Sequence, residues 1–476
     1  MLTTIALAAV TKAGPPLESA LTIYNDGFAL VREQRMIDLA GGPQDVLVED
    51  VAQMIEANSV SVTSLSAPGS FTVLEQNYQY DLINPIAILN KSVGQPIRFH
   101  RHLANGTKET IYGTLISAPF AMVADANGSM GQTYNGMVVR TDNGGILLNP
   151  TGEIEVLKLP EGLISKPSLL WVLDGKAGSN RIEFRYLTQG FSWKCDYVMT
   201  LDNQGKLGGL KGWVTLTNNS GTSYQNAKLS FLAGEVNRYI EQRGFGGGGG
   251  AMPAMNAAAK MEDMAAQEIG EYHLYKMSRP VSVANKAIKQ VSLMEHEGIK
   301  VRTKLIADLG PFYSNPRQEG RIGSGPIKPQ AFITFKNEEA NGLGIAMPKG
   351  TFKVFQADKD GDVQLMGEDF IQHTPRNEEL NINIGKSFDV VVESKVVDFR
   401  WLNGNPDTGS VITIEFEARN RKKEATELIV MDRKFGDFTV TSEEAMARPD
   451  SNTLQWVLKL QPDEVKKVRY TVTTRW

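Results

Sequence analysis

Residues 181–236, RIEFRYLTQGFSWKCDYVMTLDNQGKLGGLKGWVTLTNNSGTSYQNAKLSFLAGEV, decide the fold. The first run sets Ile182, Phe184 and Tyr186 on one side and Arg181, Glu183 and Arg185 on the other. That period of two belongs to a strand with one buried face. The next run repeats it, with Trp193, Cys195, Tyr197, Met199 and Leu201 sharing a face. Lys194, Asp196, Thr200 and Asp202 take the other face, interrupted only by Val198. Asp202-Asn203-Gln204-Gly205 supplies a turn, and Asn219-Ser220-Gly221 separates the strands 210–218 and 228–233. The pattern predicts a β-sandwich core, and no residue constellation within it names a reaction.

A chain of 476 residues exceeds one ordinary β-domain, so several cores are expected. The net charge of -4 provides no basic field, which argues against nucleic acid as partner. A single cysteine excludes an internal disulfide. Leu2 to Val10 is apolar, and Ala8, Ala9 and Ala13 offer signal-peptidase sites before Gly14-Pro15-Pro16, so residues 1–19 read as a leader for export. No later stretch reaches the roughly 20 apolar residues of a membrane helix.

Working outward, residues 20–78 read as an N-terminal β-unit whose first hairpin turns at Asn25-Asp26-Gly27. Residues 79–160 carry short glycine-punctuated strands, which fit an inserted SH3-like small barrel with a loop at Met122 to Tyr134. An extended linker follows at Pro160 to Pro167, then a central sandwich region over 168–385 and a C-terminal sandwich over 386–476. The expected fold is therefore all-β and multidomain, with immunoglobulin-like β-sandwiches around the small barrel. Residues 243–270 interrupt the central region with five consecutive glycines and an Ala-rich, helical-looking stretch. Its Phe245, Met252, Met255, Met261 and Met264 are candidate binding residues, because methionines adapt to varied partners. A low-complexity insertion without a role is the competing reading.

His100-Arg101-His102 is the best metal candidate, since alternation sends both imidazoles to one face. Two ligands do not make a site, and Ile97 and Phe99 on the opposite face leave both histidines pointing to solvent. Glu295-His296-Glu297 reads as a strand end, while His273 and His373 stand alone. Asp358, Asp360 and Asp362 imitate a calcium loop, but the glycine is misplaced and a hairpin turn explains them. Cys195 belongs to a buried face and reads as a structural thiol. No catalytic or phosphate-binding signature is present, and no cofactor is implied.

Several motifs combine into a family likeness. Tyr24-Asn-Asp-Gly-Phe-Ala-Leu-Val-Arg32, Tyr186-Leu-Thr-Gln-Gly-Phe-Ser-Trp193 with Tyr197, and Asn218 to Ala227 leading to Leu232-Ala-Gly234 form one set. Pro348 to Phe355, Gly367 to Pro375 and Gly385 to Val390 form another. Together they resemble the bacterial domain of unknown function 4139 family, whose best-named relatives are mucoidy inhibitor A proteins. Those relatives carry a long coiled coil where residues 79–160 have no heptads. The resemblance implies an exported, all-β protein without established catalytic residues and with a link to the cell envelope or surface polysaccharide. The expectation is a non-catalytic periplasmic or secreted binding protein whose partner is an envelope protein or glycan. The competing expectation is a metal-dependent hydrolase of envelope polymers, with His100, His102 or His296 meeting distant carboxylates.

Overall fold

In a computed structural model the alternating runs form two long strands, Gly178–Gln189 and Phe191–Leu201, which lie in different sheets. The structure describes residues 10–476 except 80, 103–105, 118, 125–129, 135, 151, 239–263 and 311–324. Gly178–Gln189 pairs along its whole length with Phe28–Leu39, inside an eight-stranded sheet that also holds Glu18–Tyr24 and Tyr224–Ala233. Phe191–Leu201 pairs with Leu207–Asn218 on one side and, in parallel, with Gly350–Ala357 on the other. Ala287–Lys300 and Val363–Ile371 complete this five-stranded sheet.

The two sheets face each other, and the inward residues are those the alternation marks. Trp193, Cys195, Tyr197, Met199 and Leu201 are buried together with Phe184, Tyr186 and Phe231. Trp193 meets Phe231 across the interface at 5.4 Å between ring centroids. Removing each such large side chain from water stabilises the fold by about 1.5–3 kcal/mol. Tyr197 also donates its hydroxyl to the Pro348 carbonyl at 2.8 Å, which satisfies a buried polar group.

Strands of the expected 20–78 unit are shared out between two sheets. Gly42–Glu49 and Phe71–Gln79 flank Ser168–Gly175 in a four-stranded sheet, whose Trp171 packs edge-on against Phe184 of the eight-stranded sheet at 5.6 Å. Within the expected leader, Thr11–Lys12 pairs with Val46 and Leu47, and Glu18–Tyr24 begins before residue 20. Residues 1–9 lie outside the described residues.

The small unit at 79–160 is inserted between Phe71–Gln79 and Ser168–Gly175, which are antiparallel neighbours. Its five-stranded sheet encloses a separate core of Ile97, Phe99, Leu115, Met137 and Val139. The entering and leaving chains are clasped, with Ile83 N donating to Ile164 O at 2.9 Å and Ile164 N to Asp81 O at 3.1 Å. Two features differ from the sequence reading. Pro85–Lys91 is a helix, capped by Asn84, whose side chain accepts from Ala87 N at 2.9 Å. The expected loop at Met122 to Tyr134 contains strand pairing between Phe120–Ala124 and Met130–Tyr134.

Toward the C-terminus, Glu379–Lys386, Gln330–Lys336, Arg302–Asp308, Thr426–Arg433 and Thr453–Leu460 make one sheet that continues across residue 386. Its first two strands contribute Ile333, Phe335, Leu380 and Ile382 to the first core. Its remaining strands pack against Val390–Trp401, Gly409–Asn420, Asp437–Ser442 and Val465–Arg475 around Phe416, Trp456 and Tyr470.

Between the two long strands the chain turns from one sheet to the other at Gly190, with φ 89°. A β-carbon there would stand 2.8 Å from the Asn219 carbonyl oxygen. Both the left-handed backbone and the lack of room demand glycine. Gly190→Ala is expected to lower unfolding free energy by at least about 2 kcal/mol in urea titration, and a neutral result would show that the corner relaxes freely.

Asp50 ties three segments together. Its carboxylate accepts from Thr222 Oγ1 and Lys166 Nζ, each at 2.7 Å, while Arg35, paired with buried Glu33, donates to the Asp50 carbonyl at 3.3 Å. Burial works to raise the Asp50 pKa, but the hydrogen bonds from Lys166 and Thr222 outweigh it and hold the group below its ordinary 3.8. The depressed folded value means the contribution is present above pH 3.8 and is lost as pH falls through the folded pKa. Solvent screening of this half-exposed carboxylate limits the contribution to about 1 kcal/mol. Asp50→Asn keeps a residue type that tolerates the positive φ, so the stability gap to the parent, measured in urea, is expected to close in acid. A gap that persists unchanged there would assign it to another cause.

Candidate functional site

The residues singled out by sequence do not assemble into one site. His100 is half-buried rather than facing solvent, because strand Glu153–Val156 lies beside it. Its Nδ1 lies 2.9 Å from Thr110 Oγ1 and its Nε2 lies 3.1 Å from Glu155 Oε2. A carboxylate only accepts, so Nε2 carries the proton and Nδ1 accepts from the threonine hydroxyl. The hydrogen bond from His100, with the Arg98 charge, holds the Glu155 carboxyl below its usual range. His102 ends the same strand, paired with Lys108. Both His100 nitrogens are therefore engaged, and a metal would have to displace one of these partners.

Met264 begins strand Met264–Ile269, which pairs with Tyr272–Met277, so the expected helical stretch has already given way to strand there. Phe245, Met252, Met255 and Met261 lie outside the described residues. Glu295, His296 and Glu297 sit inside strand Ala287–Lys300 rather than at its end. Asp358 closes the expected hairpin turn, its Oδ1 accepting from the backbone of Asp360 at 3.0 Å and Asp362 at 2.9 Å. His373 does not stand alone, since the charges of Glu235 and His273 act on it and its Nδ1 accepts from Lys349 N at 3.2 Å. Its remaining nitrogen then bears a hydrogen and offers no lone pair. Among the described residues no group of three or more His, Cys, Asp or Glu is placed to hold a metal ion.

What the structure does assemble is the outer face of the five-stranded sheet. Because the Phe191–Leu201 residues with odd numbers are committed to the core, their even neighbours point outward, and pairing aligns them in rows across the strands. One row runs Ser292, Trp213, Asp196, Thr351, Phe370. The next runs Glu295, Lys211, Val198, Lys353, Glu368, and a third brings Gly209, Thr200, Phe355 and Leu365 together. Trp213 is 38% exposed and Phe370 55%. These rings lie on hydrogen-bonded strands rather than loops, so the scaffold holds them before any ligand arrives.

Polar groups around the rings are also held in place. Thr215 Oγ1 donates to Asp196 Oδ2 at 2.6 Å, Gln290 Nε2 donates to Thr215 Oγ1 at 3.1 Å, and Lys194 Nζ donates to Asp196 Oδ1 at 3.1 Å. Lys211 pairs with Glu295 at 2.7 Å and Lys353 with Glu368 at 3.4 Å. The hydrogen bond Lys211 donates to Glu295, reinforced by the charges of Glu295 and Glu297, raises the Lys211 pKa. The arrangement suits holding an amphipathic ligand. The sequence carried a signal for this face: Val198 breaks a polar alternation, and Trp213 falls out of phase with Leu210, Val214 and Leu216.

Two other features bear on chemistry. A groove of about 540 Å³ lies between helix Pro85–Lys91 and strand Glu153–Val156, lined by Ile88, Leu89, Ile154, Val156 and Leu159. Cys195 is fully buried, and burial pushes its thiol up to about 12. No family model matches the chain, and no curated protein matches it either.

Cys195 should therefore resist iodoacetamide at mildly alkaline pH in the folded protein and react stoichiometrically in denaturant. Rapid labelling of the native chain, read by intact mass, would show that the core opens around this strand.

Proposed function

We propose that this chain is a non-catalytic extracytoplasmic binding protein of the bacterial cell envelope and that the outer face of the five-stranded sheet holds its partner. The observation that carries the reading is the row from Trp213 to Phe370, where two exposed aromatic rings flank ordered polar side chains on a rigid sheet. Exposed aromatics bring large contact area with little conformational entropy to lose, which makes them efficient binding groups. The envelope setting rests on the resemblance to the domain of unknown function 4139 family and on the leader-like residues before Thr11. Partner capture through this face needs no metal and no catalytic group.

Retention of the purified protein on isolated envelopes of its source cells tests the reading. Trp213→Ala and Phe370→Ala are each expected to weaken retention by about tenfold or more, the loss typical of a central aromatic contact. Phe388→Ala removes an even more exposed ring outside this sheet and should leave retention unchanged. Equal losses in all three variants, or none in the first two, would remove the face from the account.

A further inference from the structure

We propose that the ligand of this face is an uncharged glycan chain lying across the strands, along the row Trp213, Asp196, Thr351, Phe370. The proposal rests on the reading of the face as the binding surface and names the ligand class.

Charge is the first argument. Three lysines of the face already have a carboxylate: Lys194 has Asp196, Lys211 has Glu295 and Lys353 has Glu368. The further carboxylate, Glu297, also acts on Lys211. The signs alternate over a few ångströms, so the face projects no field that would attract a polyanion or a polycation. A charged polymer would have to compete with the pairs already formed. An uncharged ligand leaves them in place and is the electrostatic complement of such a surface.

Bonding capacity is the second argument. A sugar ring has a C–H face and a rim of hydroxyls that both donate and accept. The face offers the counterpart of each. Trp213 and Phe370 provide flat apolar surfaces for C–H faces, and Phe355 with Leu365 adds apolar area two rows further along. Between the rings, Lys194 keeps spare N–H donors and the Thr351 hydroxyl serves as donor or acceptor, while Gln290, on the strand beyond Trp213, keeps its carbonyl acceptor.

Geometry is the third argument. Trp213 and Phe370 are three strand spacings apart, about 14 Å, with no aromatic side chain between them in the row. That span suits an extended chain of several rings and exceeds a single sugar. A protein partner fits less well, because the centres of protein interfaces are depleted of charge and three ion pairs stand here.

The test uses the full chain with cello-, chito- and manno-oligosaccharides, each supplied as a disaccharide and as a chain long enough to reach both rings, and with polygalacturonate as the charged probe. Calorimetry and affinity electrophoresis are run at low and high salt. The expected result is binding of at least one long neutral glycan, about tenfold or more tighter than its disaccharide, with less than about a twofold change across the salt range. Trp213→Ala and Phe370→Ala should each abolish that gain with chain length, and Trp213→Phe, which keeps a ring, should restore most of it. Binding of polygalacturonate alone with steep salt dependence, or of none of the neutral glycans, overturns the proposal. Envelope retention that needs Trp213 but disappears after protease treatment of the envelopes identifies a protein partner, which leaves the face as the binding surface and removes the glycan. Retention indifferent to Trp213 removes the face itself.

Discussion

Everything in the central region depends on the corner at Gly190. A single run of chain must feed two sheets that pack face to face, and the turn between Gln189 and Phe191 is made with a positive φ against the Asn219 backbone. On one side of that corner Phe184 and Tyr186 point into the core; on the other Phe191, Trp193 and Cys195 do. Were the corner displaced by one residue, the alternation of the following strand would reverse and Trp193 to Leu201 would face water.

The same constraint creates the open face. A strand cannot bury all its side chains against one partner sheet, so committing Trp193, Cys195, Tyr197 and Met199 to the core commits Lys194, Asp196, Val198 and Thr200 to the outside. Flanking strands in register then set Trp213 beside Asp196 and Phe370 beside Thr351. The rigidity of the face thus comes from the core beneath it, which spares a ligand the ordering cost that mobile loops impose. Its polar groups are bonded to one another, so they are oriented before contact while keeping capacity for a ligand's hydroxyls.

Local pattern made much of the β-architecture legible. The alternations in 181–201 and 454–472 correspond to buried faces, the Asn25-Asp26-Gly27 turn joins Glu18–Tyr24 to Phe28–Leu39, and Cys195 is buried. Helix Pro85–Lys91 was readable from Asn84-Pro85, a cap followed by proline at the first helical position, yet the glycine-rich texture around it points to strands. His100 illustrates a different limit. Alternation correctly puts it opposite Phe99, but only the approach of Glu153–Val156 brings Glu155 to its ring and makes a solvent-facing position half-buried. Met264 shows the weakness of composition alone, because pairing with Met277 draws it into a strand despite its alanine-rich surroundings.

By itself the sequence determined which faces of the strands are apolar and where tight turns fall. Those properties follow from side-chain chemistry and a period of two, both local. The tertiary structure alone decided which strands become neighbours: Phe191–Leu201 lies parallel to Gly350–Ala357, about 150 residues away at the usual scale of non-local pairing, and Arg302–Asp308 lies parallel to Thr426–Arg433. Parallel pairs carry no turn between them in the sequence, so their register is set by packing of distant apolar faces. The row from Trp213 to Phe370 exists only through such pairing, which is why its two rings are unremarkable in the chain and aligned across one sheet in the fold.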